Sequence, residues 1–224
     1  MPTNNAVSRA KRLGSGASII AFPLMLLFGF ALHPNFFDYS SVADVPTWAS
    51  EFRGSFQFHF GHLLVLLAVP LIIVAALRCM ELATGKGEWW GFIGGVLGIF
   101  GAVVLAVDKG ALTLVLTAFD TLPDSEFQAI YPALQVLLDQ RGWLWIVRFL
   151  ALLPFGFAIL TIGLVKARVI GWAQATVVVI GLALLLAPDI EIVNTTGAFL
   201  LSVGLLPLGF REMRGELPPR GENA

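Results

Sequence analysis

Charged residues and cysteine are both scarce in this chain. Only 13% of its 224 residues are Asp, Glu, Lys or Arg, and 57% are hydrophobic. Soluble domains carry about 25% charged residues, so this balance excludes a water-soluble globule. The single cysteine, Cys79, excludes an internal disulfide and a thiol redox pair. A net charge of −1 leaves no basic surface for nucleic acid, which excludes that class of partner.

The hydrophobic residues are gathered into long runs. A helix needs about 20 apolar residues to cross a hydrocarbon core about 30 Å thick. Runs of this kind cover residues 17–33, 58–79, 89–108 (running on to 119), 143–165, 169–187 and 191–210. They predict an all-α, polytopic bundle of six transmembrane helices in a lipid bilayer. We place a basic N-terminus at residues 1–16, the transmembrane domain at residues 17–210 and a polar tail at residues 211–224.

Lysine and arginine are distributed unequally over the loops and ends of this bundle. One side, which holds both termini, carries Arg9, Lys11, Arg12, Arg78, Lys86, Lys166, Arg168, Arg211, Arg214 and Arg220. The loops of the opposite side carry only Arg53 and Arg141. Because cytoplasmic loops are enriched in these residues, the imbalance predicts that both termini are cytoplasmic. The membrane would be the plasma membrane, or the inner membrane in a bacterium.

The two longer connections on the outer side are predicted to contain short amphipathic helices. Asp44 followed by Pro46 is typical of a helix start, and Gly54 is typical of its end. In residues 120–142, Pro132 suits the first turn of a second short helix, which ends before Gly142. We expect these segments to lie on the outer membrane surface, with a lid over the bundle as the alternative.

Small residues form a stripe along the third span, at Gly91, Gly94, Gly95, Gly98 and Gly101. Such a stripe lets another helix approach closely, which supplies packing where lipid removes the hydrophobic driving force. The partner helix belongs either to the same chain or, through the Gly91/Gly94/Gly98/Gly101 face, to a second copy or a partner subunit.

Polar residues of the predicted spans gather at the outer end. All three histidines, His33, His59 and His62, lie there. The remaining candidates for a functional site at this level are Asp108, Arg148, Glu191 and Asn194. Charge in or near hydrocarbon is costly and usually marks a functional site, so this end is where we expect function.

A metal or haem site is the first function that fits this cluster. His59 and His62 are three positions apart and therefore neighbours on one helical face. Neutral imidazole is a common ligand for zinc, copper and iron. His33, Asp108 or Glu191 would complete the ligand set. The spacing H-x-x-H also occurs by chance, and no established metal motif accompanies it.

Transport of a small solute, coupled to protons, is the second function. Asp108 and Glu191 would exchange protons, while Arg148 would hold a carboxylate or an anionic substrate group. The cytoplasmic half offers no comparable polar path, since Gln174 and Thr176 are the only deep polar residues there.

A structural or assembly subunit without catalytic activity is the third interpretation. Asp108 and Arg148 would then neutralise each other and fix the register of two spans. Whether the protein is an enzyme stays open. No G-x-S-x-G motif marks an activated serine near the histidines, so a hydrolase is not favoured.

Overall fold

The computed structural model describes residues 3–37, 44–187 and 190–218. Arg220 and the other residues beyond 218 in the predicted tail lie outside these ranges. Within them the chain forms ten α-helices: α1 (Thr3–Ala31), α2 (Val45–Phe52), α3 (Phe56–Leu82), α4 (Glu88–Gly110), α5 (Leu116–Asp120), α6 (Asp124–Ala129), α7 (Tyr131–Leu138), α8 (Leu152–Lys166), α9 (Trp172–Leu184) and α10 (Glu191–Arg214). A π-helical turn, Ala111–Val115, joins α4 to α5, and a 3₁₀ segment, Gly142–Ala151, leads into α8. The described residues contain no strand, so the all-α prediction is confirmed.

Five helical segments of the described chain are long and apolar enough to cross a membrane: Ala6–Ala31, Phe56–Leu82, Gly85–Asp120, Gly142–Lys166 and Glu191–Arg214. They fit the predicted multi-pass membrane protein. A sixth span is not confirmed, because α9 has only 13 residues and measures about 20 Å. The hydrophobic run continues beyond α9, but a residue that precedes proline avoids the helical conformation, and Pro188 follows Ala187.

Helices α1 and α10 lie side by side and run in opposite directions. In the first half of α1, the hydroxyl of Ser15 donates to the carboxylate of Glu212. Just beyond the other end of α1, His33 lies 4.0 Å from Glu191. We call the end of the bundle with Ser15 and Glu212 the terminal end, and the end with His33 and Glu191 the cap end. The start of α1 and the end of α10 therefore share one end.

The glycine stripe of α4 packs within the same chain, mainly against α8 and, at Gly95, against Met80 of α3. A Cβ built on Gly94 would meet the backbone nitrogen of Leu160 at 2.3 Å, and one on Gly101 would meet that of Leu153 at 2.2 Å. All five glycines of the stripe are buried. The structure thus shows packing within the chain. Another copy or subunit could use this face only by displacing α8.

Helices α2, α6 and α7 form a cap at one end of the bundle, where they pack against the start of α3 and against α5. Their hydrophobic cluster contains Val45, Trp48, Ala49, Phe52, Phe58, Leu116, Phe127 and Leu134. The carboxylate of Asp44 accepts a hydrogen bond from the amide of Thr47, and Gly54 follows the helix at φ 66°, as the sequence predicts for the two ends of α2. The short helices are present; their location at a membrane surface stays a prediction.

Candidate functional site

Three helices bring His33, His62 and Glu191 close together at the cap end. The Nε2 atom of His33 lies 4.0 Å from Oε1 of Glu191. The ring centroids of His33 and His62 are 6.0 Å apart. The side chains of His33 and Glu191 are only 14% and 15% exposed. His62 donates from Nδ1 to the carbonyl of Phe58 at 2.8 Å, which leaves its Nε2 as the free ring nitrogen.

The side chain of His59 faces the cap and does not point towards His62. Its Nδ1 lies 3.1 Å from the hydroxyl of Thr117, and its Nε2 lies 3.4 Å from Oδ2 of Asp120. Asp120 also accepts hydrogen bonds from the amide of Gly54. His59 therefore links α3 to α5 and to the segment that follows α2. The structure does not place His59 and His62 at one point.

Asp108 pairs with Lys109 and not with Arg148. The Oδ2 atom of Asp108 lies 3.1 Å from Nζ of Lys109, and both side chains are mostly buried. Arg148 is exposed on the 3₁₀ segment, and no ion pair of its guanidinium is found within the described ranges. The suggested neutralisation of Asp108 by Arg148 is not found among the described residues, where the carboxylate pairs with the cation of the next residue. Lys109 was not among the candidate residues.

Burial, together with the nearby ammonium of Lys109, lowers the pKa of His33 from its ordinary value of 6.5 to about 4. The imidazole of His33 is therefore neutral at pH 7. In that form one ring nitrogen donates a hydrogen bond and the other accepts one.

This pKa gives a pH-dependent stability that can be measured. Between pH 6.5 and pH 4 the unfolded chain binds a proton at His33 while the folded protein does not. We therefore expect the free energy of unfolding to decrease as the pH is lowered through that window. The loss at pH 4 is up to about 3 kcal/mol, from about 1.36 kcal/mol per pKa unit. Unfolding of the wild type and of His33→Gln, followed from pH 7.5 to 4, should give a flatter profile for the variant. Parallel profiles would contradict the assignment.

Several buried polar atoms at the cap end have no hydrogen-bond partner within the described part of the chain: Nδ1 of His33, Oγ1 of Thr113, Oδ1 of Asn194, Oγ1 of Thr195 and Nε2 of His59, although the last lies 3.4 Å from the carboxylate of Asp120. Thr113 and Asn194 are 7% and 8% exposed. An unsatisfied buried polar group costs about 1–3 kcal/mol, and more than 90% of buried backbone groups and most buried side-chain polar atoms find a partner. Buried polar atoms without a protein partner are therefore a feature of the cap end. Thr113, in the π-helical turn, had no distinguishing sequence signal.

The helices are irregular at this same end. The π-helical turn Ala111–Val115 interrupts the third long helix, and the 3₁₀ segment Gly142–Ala151 replaces the first turns of the fourth. The π-helical turn contains the buried Thr113, whereas no residue of the 3₁₀ segment is buried. Single π-helical turns occur frequently at functional sites. Backbone and side chains thus single out the cap end.

Within the described residues, no group of three His, Cys, Asp or Glu side chains is arranged to hold a metal ion. Two of the predicted ligands are engaged elsewhere, since His59 faces Asp120 and Asp108 faces Lys109. His33, His62 and Glu191 stay near one another. The predicted metal or haem site therefore has no support from the geometry.

A buried ion pair closes the terminal end. The guanidinium of Arg78 donates from Nε and Nη2 to the two carboxylate oxygens of Glu212 at 2.8 and 2.9 Å. The side chains of Arg78 and Glu212 are only 3% and 2% exposed. Ser15 donates to the same carboxylate at 3.0 Å, and the carbonyl of Pro218 accepts a further hydrogen bond from Arg78. The sequence pattern placed Arg78 at the end of the second predicted span and gave no sign of this pair.

Between these two ends the interior of the bundle is mostly apolar, and its buried Ser18, Thr161 and Ser202 bond to backbone carbonyls of their own helices. Side chains that are at most 5% exposed fill it: Ile19, Phe22, Ile72, Phe157, Leu160 and Leu201. The two deep polar residues expected here bond to backbone carbonyls, Gln174 to Gly204 at 2.7 Å and Thr176 to Trp172 at 3.0 Å. The polar cluster of the cap end is therefore separated from the terminal end by hydrophobic packing.

The helices and their apolar surfaces fit the class of multi-pass membrane proteins, here with a buried polar cluster at one end. No protein-family model matches the chain, no curated protein sequence matches it, and no solved structure matches it. Function is therefore inferred from the residues themselves.

Proposed function

We propose that the protein binds a small polar solute at the cap end, in a site open to the extracytoplasmic side of the membrane. The observation that carries this proposal is the set of unpartnered buried atoms on His33, Thr113, Asn194 and Thr195. They come from three separate parts of the fold and include acceptors as well as hydroxyl groups that donate. A polar molecule of a few atoms matches that mixture, because a binding site needs a small number of placed polar groups to orient its ligand.

The direction in which the site opens follows from the charge distribution. The terminal end carries most of the loop lysines and arginines, which favours a cytoplasmic location for that end. The cap end then faces outward. In this proposal α9 and its flanking residues make a sixth crossing. The end of α8 lies at the terminal end, where Gly163 contacts Gly87, whereas α10 begins at the cap end beside His33.

Transport of the solute is a second candidate, favoured by the closure of the terminal end. The Arg78–Glu212 pair and the apolar interior shut the bundle on the side away from the polar cluster. A site reached from one side only is what a transporter presents in one of its two alternating states. A bound metal or haem forms no part of this proposal, since the side chains do not assemble a ligand set.

Accessibility of Asn194 to water tests the proposed site. In a Cys79→Ser background, which removes the only cysteine, we expect the Asn194→Cys variant to react with a membrane-impermeant thiosulfonate reagent added to intact cells. Ser202→Cys is the matched control: it lies on the same helix, about 12 Å deeper at 1.5 Å per residue, and Ser202 is 3% exposed. We expect this control to stay unmodified.

The possible outcomes separate the alternatives. Reaction of Asn194→Cys from outside, without reaction of Ser202→Cys, supports an outward-facing polar site. Reaction only in inverted vesicles would overturn the orientation. If Asn194→Cys reacts only after denaturation, the cluster is sealed, the binding site is disproved, and the structural-subunit interpretation is favoured.

A further inference from the structure

Arg148 lies on a lipid-facing surface that is separate from the polar cluster. None of the ten residues of the segment Gly142–Ala151 is buried. The large apolar neighbours of Arg148 are strongly exposed, with Trp143 at 85%, Trp145 at 43% and Phe149 at 39%. The guanidinium has no hydrogen bond or ion pair with any residue that the structure describes. An exposed cation without a protein partner thus shares this short segment with exposed aromatic side chains.

The depth of Arg148 can be read from the packing of α4 against the segment that leads into α8. Leu153 is level with Gly101, because a Cβ on Gly101 would lie 2.2 Å from its backbone nitrogen. Gly101 lies about 18 Å along α4 from Trp89 at 1.5 Å per residue. Arg148 precedes Leu153 by about 9 Å of mostly 3₁₀ backbone. Its backbone is therefore about 27 Å from the level of Trp89, near the far edge of a hydrocarbon core about 30 Å thick.

An anion at the interface would compensate a guanidinium at that depth. Arginine near the end of a span extends towards the interface, where lipid phosphates lie, and its planar fork binds phosphate through two hydrogen bonds. Tryptophan is enriched at the same headgroup level. The neighbouring charges are already paired, Lys109 with Asp108 and Arg141 with Asp139. Arg148 therefore adds a net positive charge, which favours a lipid that is anionic overall.

We propose that Arg148, on the same 3₁₀ segment as the exposed Trp143 and Trp145, binds the phosphate of an anionic phospholipid in the outer leaflet. The headgroup phosphate accepts hydrogen bonds from the guanidinium. The acyl chains lie along the exposed apolar surface of the 3₁₀ segment and α4, where the rings of Phe149 and Phe100 are 6.0 Å apart. This site is independent of solute binding at the cap end.

Native mass spectrometry of the full chain in a mild detergent tests this site. We expect the wild type to bind phosphatidylglycerol in preference to phosphatidylcholine, and Arg148→Gln to bind phosphatidylglycerol about tenfold more weakly through loss of one charge-assisted pair. Arg141→Gln is the control, because Arg141 is equally a surface arginine but its guanidinium lies 2.6 Å from Asp139. We expect this control to bind the lipid as the wild type does.

Three results would overturn the lipid site. One is equal binding of phosphatidylglycerol by Arg148→Gln and the wild type. Another is an equal loss in Arg141→Gln, which would indicate a general effect of surface charge. The third is displacement of the lipid by millimolar inorganic phosphate, which would assign the site to the free anion. Equal thermal unfolding of the variants confirms that weaker binding does not reflect misfolding.

Discussion

Replacing Glu212 with leucine is expected to lower the free energy of unfolding by about 3–5 kcal/mol, whereas the further change Arg78→Met should restore much of that loss. The guanidinium of Arg78 is 3% exposed and donates two hydrogen bonds to the Glu212 carboxylate. The single substitution leaves that charge buried without its main partner. The double substitution removes both charges and fills the space with apolar side chains.

The measurement is chemical unfolding in detergent micelles of the wild type, both single variants and the double variant. The exposed pair Arg141–Asp139 is the matched control, since its side chains are 65% and 32% exposed. Removal of an exposed pair costs about 0.2–1 kcal/mol. If Glu212→Leu also cost less than about 1 kcal/mol, Arg78 would have another source of compensation and the ion pair would not hold the terminal end together.

The Arg78–Glu212 pair also shows what a sequence can and cannot reveal about this fold. Its partners are 134 positions apart, and nothing local to either residue indicates the other. The contact depends on α3 and α10 reaching the same end of the bundle in a fixed rotation. Hydrophobic length predicts that such helices exist, but the pairing of helices is set by surface shape along their whole length.

The histidines of α3 show the same limit at closer range. His59 and His62 are three positions apart, which is about 300° around a helix, so their side chains are offset by about 60°. That offset directs His62 towards His33 of α1 and His59 towards Thr117 and Asp120. The spacing alone suggested a common ligand. The position of the neighbouring helices decided that each ring has different partners.

Local signals were more reliable where the chain itself supplies the partner. Asp44 bonds to the amide of Thr47 three residues later, and the positive φ of Gly54 suits a residue without a side chain. The ends of α2 were therefore predictable from a few neighbouring positions. The same holds for Pro132 at the start of α7. The cluster of the cap end required long-range packing, and only the level of its residues could be predicted.

The glycine contacts between α4 and α8 give the other prediction of large effect. A Cβ on Gly156 would lie 2.2 Å from the backbone nitrogen of Gly98, 2.6 Å from its Cα and 2.7 Å from the carbonyl oxygen of Gly94. All three atoms belong to the backbone, so none can turn aside as a side chain would. We expect Gly156→Ala to cost more than about 3 kcal/mol, beyond the usual range for overpacking, or to prevent folding.

Gly110→Ala is the control for this substitution. Gly110 also lies in a helix, and a Cβ there would meet nothing within 4 Å. Because alanine favours helix over glycine by about 1 kcal/mol, we expect this variant to be as stable as the wild type or slightly more stable. Thermal unfolding of both variants in the same detergent makes the comparison. If Gly156→Ala unfolded at the same temperature as Gly110→Ala and the wild type, α8 would not be held against the stripe. The stripe would then be open to a second copy of the chain. A large loss for Gly156→Ala alone instead assigns the stripe to the helix pair that positions the 3₁₀ segment and its Arg148.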